Sequence, residues 1–430
     1  MNRRCFLSSI TGATLTGTLP SVAMAEGGLK GYIARPEPVY KWEKRSEKKI
    51  PGGVLHELWL VSQTWHEHIW EHRLQLFVPD KITSPDFCTL LNTGGGGSSA
   101  EELIGMFAAT NTGNVFAILY HIPKQPLYGG LTEDALIVYT WQKFLETGDD
   151  TWPLHFPMAK AVIKALDALQ SFRPELKRFL ITGASKRGWT TWLVGASGDP
   201  RVVGIAPMVI DILNVEKQIG HQLEMLGKPS EQVGDYTAVG FDKLLLAPRG
   251  KELMRLEDPY SYRNQLTLPK LILLGTNDRY WSQDALNLYW DDLKGPKWVL
   301  YLPNSGHGME DRGRLLTTLS AFARTLAAKK KWPEPRWKWN RGGSSRTAEL
   351  IVQSDVALKS ARIFRCTAAT TDFRDAKWTS EEISVMGKQA TGRYQAPETG
   401  FAAIYAELTY ELEPGKPFTL ATQMKILGKP

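Results

Sequence analysis

Three short apolar runs in this chain each lead to a residue that could do nucleophilic or acid–base work. Arg178-Phe179-Leu180-Ile181-Thr182 runs into Gly183-Ala184-Ser185-Lys186-Arg187-Gly188, and Trp189 to Ala196 follows with the pattern of a buried helix. A strand turning sharply into a helix through Gly-x-Ser strains the serine backbone and lifts its hydroxyl clear of the sheet. Small residues flank such a turn because strand and helix nearly touch. Gly183 supplies the first of them; Arg187 stands where the second is usual, and Gly188 comes one position late. Leu271 to Asp278 is a second apolar run, ending on an acid. Trp298 to Leu302 is a third, and its closing loop carries His307. A serine hydroxyl is a weak nucleophile until a base takes its proton, and the base needs an acid to hold its tautomer. Ser185, Asp278 and His307, in that chain order and each just past a strand, supply the three roles.

A fourth strand-like run, Phe87 to Asn92, opens onto Gly94-Gly95-Gly96-Gly97-Ser98-Ser99. Glycines after a core strand let backbone N–H groups turn towards an anion. The expected oxyanion hole is therefore the N–H of Lys186 with one from Gly95, Gly96 or Gly97. No Gly-Lys-Ser/Thr follows, which argues against a nucleotide loop; a plain flexible turn is the bland alternative. Each assignment has its rival. Ser185 could be a structural serine in a glycine-rich turn, and His307 a solvated loop histidine. Asp278 could cap a helix at Ser282, leaving Asp211, after the apolar run Val202 to Ile210, as the acid. His66 and His68 flank a turn with His72 near, but a hairpin end explains them better than a metal, and no metal or cofactor is expected. Lys186 and Arg187 fall in the first turn of a helix, where the dipole disfavours cations. One is expected to pair with a buried acid, and the Lys186 side chain to add charge beside the oxyanion.

The elements that must position these residues alternate. Leu55 to Trp65 and Trp70 to Val78 read as strands, Glu101 to Ala109 as a helix, and Val115 to Ile122 as a strand. Residues 131–147 and 157–171 read as helices, Ala159, Val162, Ile163, Leu166 and Leu169 tracing one face. Ser282 to Leu293 and Arg314 to Ala328 complete the series. Residues 212–266 lack the alternation and fall where a cap is commonly inserted. The fold class expected is an α/β-hydrolase: a mostly parallel sheet over residues 36–328, covered on both faces. Residues 329–346 read as a basic Trp/Pro connector. Residues 347–430 hold only short β-rich runs, the pattern of a separate immunoglobulin-like sandwich.

The chain opens on Asn2-Arg3-Arg4-Cys5-Phe6-Leu7, a weakly apolar stretch and Ala23-Met24-Ala25. That reads as an export signal of twin-arginine type over residues 1–25, with an ordinary secretory signal as the alternative; the mature protein is then periplasmic or secreted. No stretch suits stable membrane insertion. Cys88 and Cys366 remain, without zinc spacing, and are read as buried free thiols. The formal charge of +7 is concentrated rather than spread: Lys329, Lys330, Lys331, Arg336, Lys338, Arg341 and Arg346 face Glu334 alone within residues 329–346. A broad nucleic-acid face is therefore not expected.

The segments Gly183 to Trp189, Gly275-Thr276-Asn277-Asp278 with Tyr280-Trp281, Asp284 to Trp290, Pro303 to Gly308 and Thr151-Trp152-Pro153 resemble the PhoPQ-activated pathogenicity-related protein family. The resemblance spans roughly residues 35–425 and implies an exported α/β-hydrolase-like protein associated with a virulence regulon. The elbow is also similar to the Gly-Cys-Ser-Arg-x-Gly elbow of glucuronoyl esterases, with Lys186 in place of arginine; the planar fork is lost, so no substrate carries over. The function expected is a serine hydrolase acting on an ester, a carbohydrate-linked one among the options. A peptidase with the same triad, or a silent binding protein on the same scaffold, is the alternative. Substrates would be small-molecule, glycan-linked or peptide in kind.

Overall fold

The computed structural model describes residues 27–341 and 346–429; the segment 1–25 read as an export signal and residues 342–345 of the connector lie outside the described residues. The described residues begin with α1 (Gly28–Ala34) and β1 (Lys41–Ile50), neither of which the sequence announced. β1 carries Lys and Glu on both faces and is mostly exposed, so it has no alternation to read; it is an edge strand paired antiparallel with β2 (Gly53–Trp65). Charge on such an edge deters further pairing. β3 (His68–Pro79) completes a hairpin whose turn holds His66.

From there strands and helices alternate. β4 (Phe87–Asn92), α2 (Ser99–Thr112), β5 (Val115–Leu119), α3 (Glu133–Thr147), α4 (His155–Phe172), β6 (Arg178–Ala184), α5 (Lys186–Ala196) and β7 (Val202–Met208) follow in turn. The region read as a cap is helical: α6 (Val215–Leu226), α7 (Gly234–Thr237), α8 (Phe241–Leu244) and α9 (Pro248–Glu257). β8 (Lys270–Gly275), β9 (Lys297–Leu302) and α10 (Arg312–Ala327) close the alternation. The strands lie in the order β1-β2-β3-β5-β4-β6-β7-β8-β9, parallel from β5 onward. Parallel strands covered on both faces must be apolar throughout, and Leu180, Ile181, Ile272, Leu273, Val299 and Leu300 are fully buried. This is the α/β-hydrolase arrangement. Parallel strands also end on one edge of the sheet, so the loops bearing Ser185, Asp211, Asp278 and His307 emerge together.

Two expectations need correction. Ser282 to Leu293 is not a helix; it holds one short 3₁₀ turn, Ala285–Leu288. Its carbonyls are taken from outside: Ala285 accepts from Gln218, Leu288 from Asn214, and Trp290 and Leu293 from Lys297. The second concerns the C-terminal strands, which are not a sandwich set apart by a connector. They are β10 (Arg336–Arg341), β11 (Thr347–Gln353), β12 (Ser360–Ala368), β13 (Thr379–Glu382), β14 (Ser384–Met386), β15 (Gln389–Gln395), β16 (Gly400–Tyr410), β17 (Phe418–Ala421) and β18 (Lys425–Lys429). β17 pairs with β9 at Ala421 and Val299, so β17, β16, β12, β13 and β18 continue the hydrolase sheet. β10, β11, β15 and β14 form a second sheet, and the connector itself supplies β10. The physical reason is a shared core. Trp332 stacks on Phe418 at 4.3 Å and meets Phe322 and Trp298, so both halves bury the same aromatics. Among the described residues no helix is long and apolar enough to cross a membrane.

Candidate active site

Ser185 sits between β6 and α5 with φ 57° and ψ −126°. A non-glycine residue held there stores strain, which persists only where the surroundings enforce it. They do so through backbone: the Ser185 N–H donates to Met208 O at 2.9 Å, and Ser185 O accepts from Trp189 N at 2.9 Å. The elbow's close approaches fall at 183 and 188. A Cβ on Gly183 would lie 2.7 Å from Arg187 O, and one on Gly188 would lie 2.7 Å from Met208 O. The small residue that follows the serine is thus needed at 188, which frees position 187 for an arginine.

His307 lies across the same cleft, lining with Ser185 both of the cavities that meet at the elbow. Its Nδ1 is 2.8 Å from Asp278 Oδ2, and Asp278 Oδ1 accepts from the Tyr280 N–H at 3.0 Å. The carboxylate is buried while the imidazole is a third exposed, the asymmetry expected of an orienting acid and a working base. Tyr280 packs its ring 4.4 Å from that of His307. Asp211, the alternative acid, is turned elsewhere: it accepts the Tyr289 hydroxyl at 2.7 Å. Burial pushes its carboxyl up to about 7, against the opposing pull of that hydrogen bond.

Both loops are pinned by the segment that joins β12 to β13. Asn277 donates to Arg374 O and Ala376 O at 3.1 and 2.8 Å. Asn304 accepts from Trp378 N and donates to Trp378 O, at 2.8 and 3.0 Å. Segment 374–378 therefore bridges the loop of the acid and the loop of the histidine. Nothing in the short β-rich runs beyond residue 345 signalled this role.

The two cations after Ser185 are answered by two acids opening α3. Arg187 makes a paired contact with Glu133, at 2.8 and 2.7 Å, and donates to Ile122 O. Burial would raise the Glu133 carboxyl, but hydrogen bonds and charge from Arg187 hold it down at about 2. Lys186 Nζ lies 3.0 Å from Asp134 and 3.4 Å from Glu133. Its side chain is thereby held by two carboxylates while bordering both cavities at Ser185. The Lys186 backbone N–H is different: it opens α5, where a helix leaves its N–H groups without intrahelical acceptors. Glu133 and Asp134 were missed in the sequence; only the electrostatic argument that something must compensate these cations pointed to them, and it gave no position.

The glycine loop is only partly at the site. Gly94 and Gly95 border the cleft, and a Cβ on Gly94 would collide with the Arg187 guanidinium. The Gly95 N–H donates to Thr93 Oγ1 at 3.2 Å. Gly96 and Gly97 do not border this cleft, and their carbonyls accept from Arg73 at 3.4 and 3.1 Å. His66 stacks on Trp152 at 3.8 Å as part of an aromatic cluster with Trp65 and Tyr128.

The chain matches the model of the family described as PhoPQ-activated pathogenicity-related protein over residues 29–374, and it belongs to that family. It is 28% identical over 428 residues to Autocrine proliferation repressor protein A of Dictyostelium discoideum, covering 89% of this chain and 85% of that protein. Among solved structures, similar chains include acetyl xylan esterase 1 from a Thermoanaerobacterium species, at 14% identity and TM-score 0.48, covering 68% of this chain and 89% of that one. An acetyl xylan esterase from a Paenibacillus species matches at 12% identity and TM-score 0.49, covering 67% of this chain and 91% of that one.

Proposed function

We propose that this member of the PhoPQ-activated pathogenicity-related family is an exported serine hydrolase that cleaves carboxylic esters. The observation that carries the reading is a strained serine at a strand-to-helix turn, sharing its cleft with a histidine held at 2.8 Å by a buried aspartate. In the reaction, Ser185 Oγ attacks the acyl carbon while His307 Nε2 takes its proton. Asp278 keeps the other ring nitrogen protonated and stabilises the imidazolium. The Lys186 N–H meets the carbonyl oxygen as it gains charge, a contact worth about 3 kcal/mol in comparable sites. A second donor becomes available when that oxygen competes with Thr93 Oγ1 for the Gly95 N–H. The C–O bond to the alcohol then breaks, His307 returns the proton to the leaving alkoxide, and water releases the acid by the same route. No cofactor enters these steps. Export rests on residues 1–25, with Arg3 and Arg4 before an apolar stretch and a small-residue site.

Turnover of a short aryl ester by the purified protein, compared with Ser185→Ala, tests the reading. Activity lost with the hydroxyl supports it; equal activity in the variant refutes it. A second reading, a signalling protein on a silent scaffold, is favoured by the name of the Dictyostelium relative, a proliferation repressor. A folded protein inert towards every ester would support that reading instead.

A further inference from the structure

We infer that the cap pocket beside Ser185 is an acyl-chain site, so the substrates are esters of medium-length apolar acids rather than of acetate or of a sugar acid. This rests on the hydrolase reading above and names the substrate class of the same site. The site has two sides of opposite character. On one, a cavity of about 130 Å³ runs from Ser185 and His307 under the cap, walled by Ile212, Ile219, Leu223, Phe241, Leu245 and Trp189. On the other lies a wider, more polar cleft of about 580 Å³, bordered by Thr93, Gly94, Gly95, Glu133 and Arg187 together with Leu91, Met208 and Met309. Both sides meet at Ser185, Lys186, Tyr280 and His307.

Several polar side chains along the apolar pocket are already committed, and its few uncommitted polar atoms are the indole N–H groups of Trp141 and Trp281 and the Asp242 carboxylate. Gln218 donates to Asp211 O and Leu213 O, and Gln222 bonds Tyr280 O and Ser230 N. Tyr236 donates to Asp134 at 2.8 Å, and Asp134 also holds Lys186. A sugar, with its several hydroxyls, would lose more hydrogen bonds to water here than these few groups and the aliphatic walls return, which is costly. An alkyl chain loses nothing and gains burial. Apolar cavities of about 150 Å³ accept a six-carbon ring, so this one suits a chain of about six carbons. Order of events decides which half of the ester goes where. The acyl group stays on Ser185 while the alcohol leaves and water enters. The narrower pocket fits the part that stays, and the wider cleft fits the traffic.

A series of p-nitrophenyl esters from acetate to dodecanoate tests this, each measured with the full chain and with Ser185→Ala. Burying a methylene is worth about 0.8 kcal/mol, close to fourfold in kcat/KM, so hexanoate should exceed acetate by about 200-fold. Beyond the pocket's length the gain should stop. Ile219→Trp, which fills one wall, should cut the hexanoate-to-acetate ratio at least tenfold; Leu245→Trp does the same from the opposite wall should the first variant fold poorly. Hexanoate esters of alcohols of increasing length should show no comparable rise. Ser185-dependent turnover that is best on acetate, or that rises with the alcohol and not the acid, overturns the acyl-site inference and leaves the hydrolase standing. No Ser185-dependent turnover on any member of the series overturns the hydrolase reading beneath it.

Discussion

Two strands of the sheet end alike and are used differently. β7 stops at Met208 and β8 at Gly275, and each is followed three residues on by a buried acid, Asp211 and Asp278. The two carboxylates are almost equally hidden, at 4% and 5% exposure. Asp211 meets the neutral Tyr289 hydroxyl and the Leu286 backbone, and burial lifts its carboxyl towards about 7. Asp278 meets His307 Nδ1 and the Tyr280 N–H. The loops also differ in what holds them. The one after β7 leads into the cap, while the one after β8 is pinned by segment 374–378, which joins β12 to β13. Burial alone does not make an orienting acid; a partner that becomes charged and a loop that cannot shift do.

The comparison breaks first at Asp278. Replacing it by Asn leaves the fold intact but lets His307 adopt the wrong tautomer, so kcat should fall about 10³–10⁴-fold. An equal loss from Asp211→Asn would reverse the two roles. Asn304→Ala tests the clamp: without its two contacts to Trp378 the histidine loop loosens, and kcat should drop about tenfold with KM little changed. A variant with lower thermal stability and full kcat would make the clamp merely structural.

The smallest effect on turnover belongs to Asp211→Asn, expected within about threefold of wild type. Its larger signature is in stability. The folded chain keeps the Asp211 proton up to about pH 7, whereas an unperturbed carboxyl releases it near 3.8. Between those values the unfolded state binds fewer protons, so the wild type loses stability as pH rises. Asn carries no such slope and still accepts the Tyr289 hydroxyl. Urea midpoints measured from pH 4 to pH 8 should therefore shift in the variant's favour as pH rises; parallel curves would show that Asp211 is not held protonated.

Much of this was legible in the residues. The parallel strands are apolar because both faces are covered, and Ser185, Asp278 and His307 stand at strand ends because parallel topology gathers those ends. Gly183 and Gly188 were readable as contact points, and the structure explains the displaced second glycine by the carbonyl of Met208. Long-range partners were not legible. The turn at Ala285–Leu288 and the loop after it are shaped by Gln218, Asn214 and Lys297, which take the carbonyls of Ala285, Leu288 and Trp290. The sharing of Trp332 and Phe418 with the hydrolase core, and the pinning of Asn277 and Asn304, join residues far apart in the chain. No local pattern encodes a partner that distant. The same holds for Glu133 and Asp134, which look like ordinary first-turn acids of α3 until Arg187 and Lys186 reach them.

The central claim is that Ser185 is an activated nucleophile. Treating the full chain with a fluorophosphonate and locating the adduct by peptide mass spectrometry tests it most directly. The account predicts a single adduct on Ser185, formed quickly in the wild type, slowed strongly in Asp278→Asn and little changed in Asp211→Asn. A folded protein that takes no label, or takes it on another serine, would contradict it.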